Sequence, residues 1–88
     1  MIAKEFTIIN KLGIHARPAA LIAKTANHFK SSIRVTKDGL EVNGKSIMGI
    51  MMLAAAKGNR ITISAEGMDE KEAMEALGTL VTTKFGED

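Results

Sequence analysis

Apolar residues recur along this chain with two different periods, and the switches between them mark the elements. From Ile2 to Ile9, Ile2, Phe6 and Ile8 fall on one side and Glu5 and Thr7 on the other, which predicts a strand. Asn10, Lys11 and Gly13 interrupt it. From Ala16 to Phe29 the spacing becomes helical, with Ile22, Ala26 and Phe29 in one stripe and Leu21 and Thr25 beside it. Pro18 falls in the first turn, where a missing N–H costs little because the first four donors have no partner within the helix. Ile33 to Lys37 and Leu40 to Asn43 alternate with period two around Asp38-Gly39, a strong two-residue hairpin signal. Ile47 to Leu53 predicts a short helix behind Ser46 as N-cap, closed off by Lys57-Gly58. Arg60 to Glu66 alternates again, with Ile61, Ile63 and Ala65 inward. Asp69 with Glu72 three residues on reads as the capping box of a last helix, whose stripe is Ala73, Leu77, Leu80 and Val81. Gly78 should weaken that helix by about 1 kcal/mol relative to Ala.

The order β-α-β-β-α-β-α places the chain in the α+β class. Clean alternation in three of the four strands leaves one sheet face wet, so the expected architecture is an open two-layer sandwich with every helix on one side. With 88 residues there is room for one domain, 1–88, and one modest core. Only three aromatic residues are present, Phe6, Phe29 and Phe85, so that core is built from Ile, Val, Leu, Ala and Met.

Composition narrows the chemistry. No cysteine means no disulfide, no thiolate nucleophile and no Cys-type zinc site. Together with the lack of a signal-like N-terminus, this points to the cytoplasm. The longest apolar run, Ile47 to Ala56, falls far short of the about 20 residues a bilayer needs, so no membrane insertion is expected. A net charge of +2 without a basic block gives nucleic-acid binding little support. Two histidines without clustered carboxylates do not suggest a metal, and no Gly-rich loop suggests a nucleotide cofactor. His28, near the end of the first helix, reads as a surface residue.

The informative segment is Gly13-Ile14-His15-Ala16-Arg17-Pro18-Ala19. Gly13 lets the chain turn, and Pro18 sets the helix start at His15 or Ala16. Histidine is an uncommon N-cap. An imidazolium is disfavoured at the positive end of a helix dipole, which favours a neutral ring with a nucleophilic lone pair. A phosphoryl group on that ring would instead meet the free N–H groups of Ala16 and Arg17 and the dipole, worth roughly 0.3–1 kcal/mol when exposed and up to ~2 in good geometry. The Arg17 guanidinium adds charge-assisted hydrogen bonds of about 1.5–3 kcal/mol. The bond stays transferable because a protonated imidazole is a good leaving group.

Gly13 to Ala19 resembles the active-site motif of the HPr family, the histidine phosphocarriers of the bacterial phosphotransferase system. Lys45-Ser46-Ile47-Met48-Gly49-Ile50-Met51 resembles the second signature of that family, and the likeness runs over essentially the whole chain. The resemblance implies an HPr-like open-faced β-sandwich, an antiparallel sheet in order 1-4-2-3 with three helices on one face. It also implies that His15 accepts phosphate at Nδ1 from phosphorylated enzyme I, that Arg17 stabilises it, and that an enzyme IIA domain takes it on. The same resemblance suggests Ser46 as a target of an HPr serine kinase. Asn10-Lys11-Leu12-Gly13 and the acidic tail Phe85-Gly86-Glu87-Asp88 are closer to the nitrogen-related branch of the system. The Ser46 segment is closer to the sugar branch, and a general HPr is preferred.

A short helix that is apolar all round cannot bury every side, so part of Ile47, Met48, Met51 and Met52 should stay exposed as a docking patch beside the His15 helix. Ala20, Leu21, Lys24 and Lys45 would complete it, with Arg17 and Lys57 drawing acidic partners. A shuttle must release its partners, so interfaces below about 1,200 Å² and a monomeric carrier are expected. Ser46 caps its helix in any case, worth about 1 kcal/mol. Phosphate there would set negative charge beside the patch. Two other classes fare worse. An RNA-binding module would need aromatics on the wet face, and Glu5, Thr7, Arg34, Thr36, Thr62, Ser64 and Glu66 include none. An independent enzyme would need a general-acid partner and a pocket beside His15. The chain reads as a co-substrate of phosphotransferases.

Overall fold

The computed structural model of the chain describes residues 1–87. Four strands, β1 (Ile2–Thr7), β2 (Ser32–Lys37), β3 (Leu40–Asn43) and β4 (Arg60–Glu66), form one antiparallel sheet in the order β1-β4-β2-β3. Inward residues Ile33, Val35, Val42, Ile61, Ile63 and Ala65 are all buried, while Arg34 and Glu66 on the opposite face are exposed. This is the period-two alternation of the sequence carried into three dimensions. Asp38 and Gly39 both take positive φ (50° and 83°), the type I′ geometry that matches the twist of paired strands.

Three helices, α1 (Ala16–Ala26), α2 (Ile47–Met52) and α3 (Glu70–Thr82), cover the buried face. Helix α1 packs against both others, and its Ala19, Ile22, Ala23 and Ala26 are buried. It ends three residues before the expected Phe29. Asn27 turns there, its side-chain amide donating to the Ala23 carbonyl at 2.8 Å and the Lys45 carbonyl at 3.1 Å. Gly78 has a packing reason: a Cβ there would lie 3.2 Å from the Phe6 ring, so the residue that weakens α3 lets β1 approach it.

Two expectations need correction. Asp69 is at the N-cap position of α3 but makes no side-chain cap bond, so the capping box with Glu72 does not form. Its carboxylate accepts instead from the Lys30 and Ser31 backbone N–H groups, at 2.8 and 2.9 Å, and from the Ser31 hydroxyl. Two amides at the turn into β2 satisfy it better than one helix donor would. The hydrogen bond from the Ser31 hydroxyl, followed by that from the Lys30 amide, holds the Asp69 carboxyl below its ordinary range. The second correction concerns the end of the chain. A short 3-10 turn, Lys84–Gly86, follows α3 where only a tail was read, and it buries Phe85 in the core.

Candidate functional site

Gly13 sets up the mouth of α1. Its φ is +69°, and a Cβ would stand 2.6 Å from the Ala55 carbonyl oxygen, so only glycine fits. That carbonyl accepts from the Ile14 N–H at 2.8 Å, and Ile14 is buried. His15 is therefore delivered to the N-cap of α1 with extended backbone (φ −95°, ψ −166°) and no side-chain capping bond. The first helical hydrogen bond runs from the Ala19 N–H to the His15 carbonyl at 3.0 Å. The amides of Ala16 and Arg17 lie ahead of it, and Pro18 has none to offer.

The His15 side chain is 38% exposed. Its Nε2 lies 3.0 Å from Oε1 of Glu87, a residue that the sequence reading left in the tail. Arg17 is split between two acceptors of the same segment, the Phe85 carbonyl at 2.9 Å and Glu87 Oε2 at 3.0 Å, both from Nη1. Asn10, fully buried, donates to Glu87 Oε1 at 2.9 Å and to the Gly13 carbonyl at 2.7 Å. The Glu87 carboxyl is held below its ordinary range, first by the hydrogen bond to His15 and then by that to Asn10. A carboxylate thus faces the ring at Nε2, where the sequence predicts only the helix and Arg17. Asp88, the other acidic residue of the tail, lies outside the described residues.

Helix α2 lies beside α1. Ile50 is buried under it, while Met48 (77%), Met52 (67%), Ile47 (45%) and Met51 (43%) are exposed. Ala20 and Leu21 are half-buried and Lys24 is exposed. Lys45 reaches across to donate to the Phe29 carbonyl at 2.8 Å. Leu12, in the loop before His15, is 70% exposed, an apolar group that periodicity could not assign. Ser46 caps α2, its hydroxyl accepting from the Gly49 N–H at 3.0 Å. Among the described residues no group of three potential metal ligands occurs, and no helix is long and apolar enough to cross a membrane.

The family model described as the PTS HPr component phosphorylation site matches residues 2–83. The chain belongs to the HPr family. It is 54% identical over 87 residues to the phosphocarrier protein HPr of Neisseria meningitidis, covering 99% of this chain and 98% of the relative. It is 53% identical over 77 residues to the HPr-like protein Crh of Halalkalibacterium halodurans, covering 88% and 92%. The crystal structure of HPr-C-His from Thermoanaerobacter tengcongensis superimposes with a TM-score of 0.96 at 53% identity, over 100% of this chain and 99% of that one. The fold is that of HPr, with the sheet order and helix layer described above, and the chain is an HPr phosphocarrier of the phosphotransferase system.

Proposed function

We propose that this HPr carries the phosphoryl group on His15 Nδ1, receiving it from phosphorylated enzyme I and passing it to an enzyme IIA domain. The observation that carries the reading is the half-exposed His15 ring at the N-cap of α1, with the Ala16 and Arg17 amides unspent by the helix and the Arg17 guanidinium beside it. The phosphoryl group on the ring takes those donors, and Arg17 turns its remaining N–H groups to the phosphoryl oxygens. Both partners dock on the exposed face of α2, using Ile47, Met48, Met51 and Met52 with Ala20, Leu21, Lys24 and Lys45 at its border. The carrier works in the cytoplasm and as a monomer, although an HPr and a Crh among its relatives were solved as dimers.

Within the same reading Ser46, half-buried at the start of α2, is a regulatory target of an HPr kinase. Its phosphate would face acidic partners across the patch and weaken docking without unfolding α2. Sugar uptake is the preferred branch and the nitrogen-related branch the alternative.

Incubation with phosphoenolpyruvate and enzyme I should add one acid-labile, alkali-stable phosphate, detected by intact-protein mass spectrometry. His15→Ala should abolish it. Labelling that persists in that variant refutes the assignment.

A further inference from the structure

A glutamate more than seventy positions along the chain from the ring is held against it by a built segment. Lys84, Phe85 and Gly86 take positive φ in succession (57°, 56° and 74°), a conformation that non-glycine residues adopt only when their surroundings compel it. The compulsion is visible: Phe85 is 2% exposed in the core, and Arg17 holds its carbonyl. The segment ends with the Glu87 side chain, 19% exposed, between three donors from the β1–α1 loop and α1. Asn10 is fully buried, and its Oδ1 has no partner among the described residues. Its amide is committed to the Gly13 carbonyl and to Glu87, which fixes Oε1 in place.

From this arrangement we propose that Glu87 is a positioning residue for phosphoryl transfer, fixing the His15 ring as the Nε2–H tautomer so that Nδ1 holds the nucleophilic lone pair. The inference rests on the reading of His15 as the phosphoryl acceptor. An ionised carboxylate has only acceptor sites, so the hydrogen between Nε2 and Oε1 belongs to Nε2. In the neutral ring the lone pair then lies on Nδ1, which makes no hydrogen bond among the described residues. In the transfer, the Nδ1 pair forms the new N–P bond as the donor's N–P bond breaks and its electron pair returns to the donor nitrogen. The proton stays on Nε2 throughout, and the positive charge gathering on the ring faces Glu87. In the onward step the group departs from a ring that already bears that proton, so the leaving group is neutral imidazole.

The test uses the full chain labelled with nitrogen-15. Long-range proton–nitrogen spectra of His15, above its titration, should show the Nε2–H tautomer in the native protein. Glu87→Gln should shift the ring towards Nδ1–H, because an amide can donate to Nε2. It should also slow phosphoryl uptake from enzyme I by roughly tenfold, with the amide spectrum of the sheet unchanged. Glu87→Ala, which leaves the ring free to sample both tautomers, should fall between the two. Phosphorylation of His15 in the native protein with an unchanged tautomer and rate in Glu87→Gln overturns this inference and leaves the carrier reading standing. Absence of phosphate on His15 in the native protein overturns the carrier reading itself.

Discussion

Helices α1 and α2 pack together with the start of α2 against the end of α1, and the two starts are built in opposite ways. At α2 the Ser46 hydroxyl turns back to the Gly49 amide, and the helix start is closed by its own cap. At α1 the N-cap is His15, which makes no such bond, and the ring turns to a carboxylate from the far end of the chain. A start whose N-cap side chain turns back to take up one of its amides is a structural joint. One whose N-cap side chain takes up none, beside an arginine and a ring with a free nitrogen, is able to receive an anion. Helix α3 is a third case: its N-cap carboxylate serves the turn into β2.

The comparison breaks most forcefully at Gly13. Gly13→Ala brings a Cβ within 2.6 Å of the Ala55 carbonyl oxygen at a positive φ. It should cost roughly 3 kcal/mol or more, read as a fall in the urea midpoint, and should disorder the α1 mouth while leaving Ser46 capped. Arg17→Ala removes a charge-assisted donor from the open start, together with its bonds to the Phe85 carbonyl and Glu87, and leaves the closed start untouched. Phosphoryl transfer should slow by about 10- to 100-fold with stability little changed, as rapid-quench kinetics would show; unchanged kinetics would remove Arg17 from the site.

Smaller effects sharpen the contrast. Ser46→Ala should lower stability by about 1 kcal/mol and leave uptake on His15 intact, since it opens only the closed start. Ser46→Asp should weaken binding to enzyme I in titration calorimetry, and equal affinity would defeat the regulatory reading. Mild acid gives the least change. Asp69 is held below its ordinary value of 3.8, so its contribution to stability is fully present above that pH and is lost as pH falls through the lower folded value. The stability difference between the native chain and Asp69→Asn should therefore shrink below pH 3.8.

Most of the fold was legible because its cues are local. Alternation in Arg60–Glu66 and the Asp38-Gly39 turn each specify their conformation within a few residues. The two halves of the proposed phosphate site differ in the same respect. Gly13, His15, Arg17 and Pro18 are neighbours, and their spacing alone suggested a helix mouth for an anion. Glu87 was invisible because nothing local to it predicts a partner 72 positions away. Phe85 reads from the sequence as part of an acidic tail, and only the assembled core shows where that ring goes. Asp69 was misread for a related reason: its local donor was evident, and the competing amides of Lys30 and Ser31 came from another part of the chain.

The hydrogen bond from Ile14 to the Ala55 carbonyl ties the segment before the ring to the loop that follows α2. In the proposed carrier, any protein that grips the methionine-rich surface meets the imidazole at one fixed offset. Donor and acceptor must then use overlapping footprints, and a sandwich of all three proteins is sterically forbidden. The proposed relay would then be sequential, the carrier leaving one partner before it visits the next.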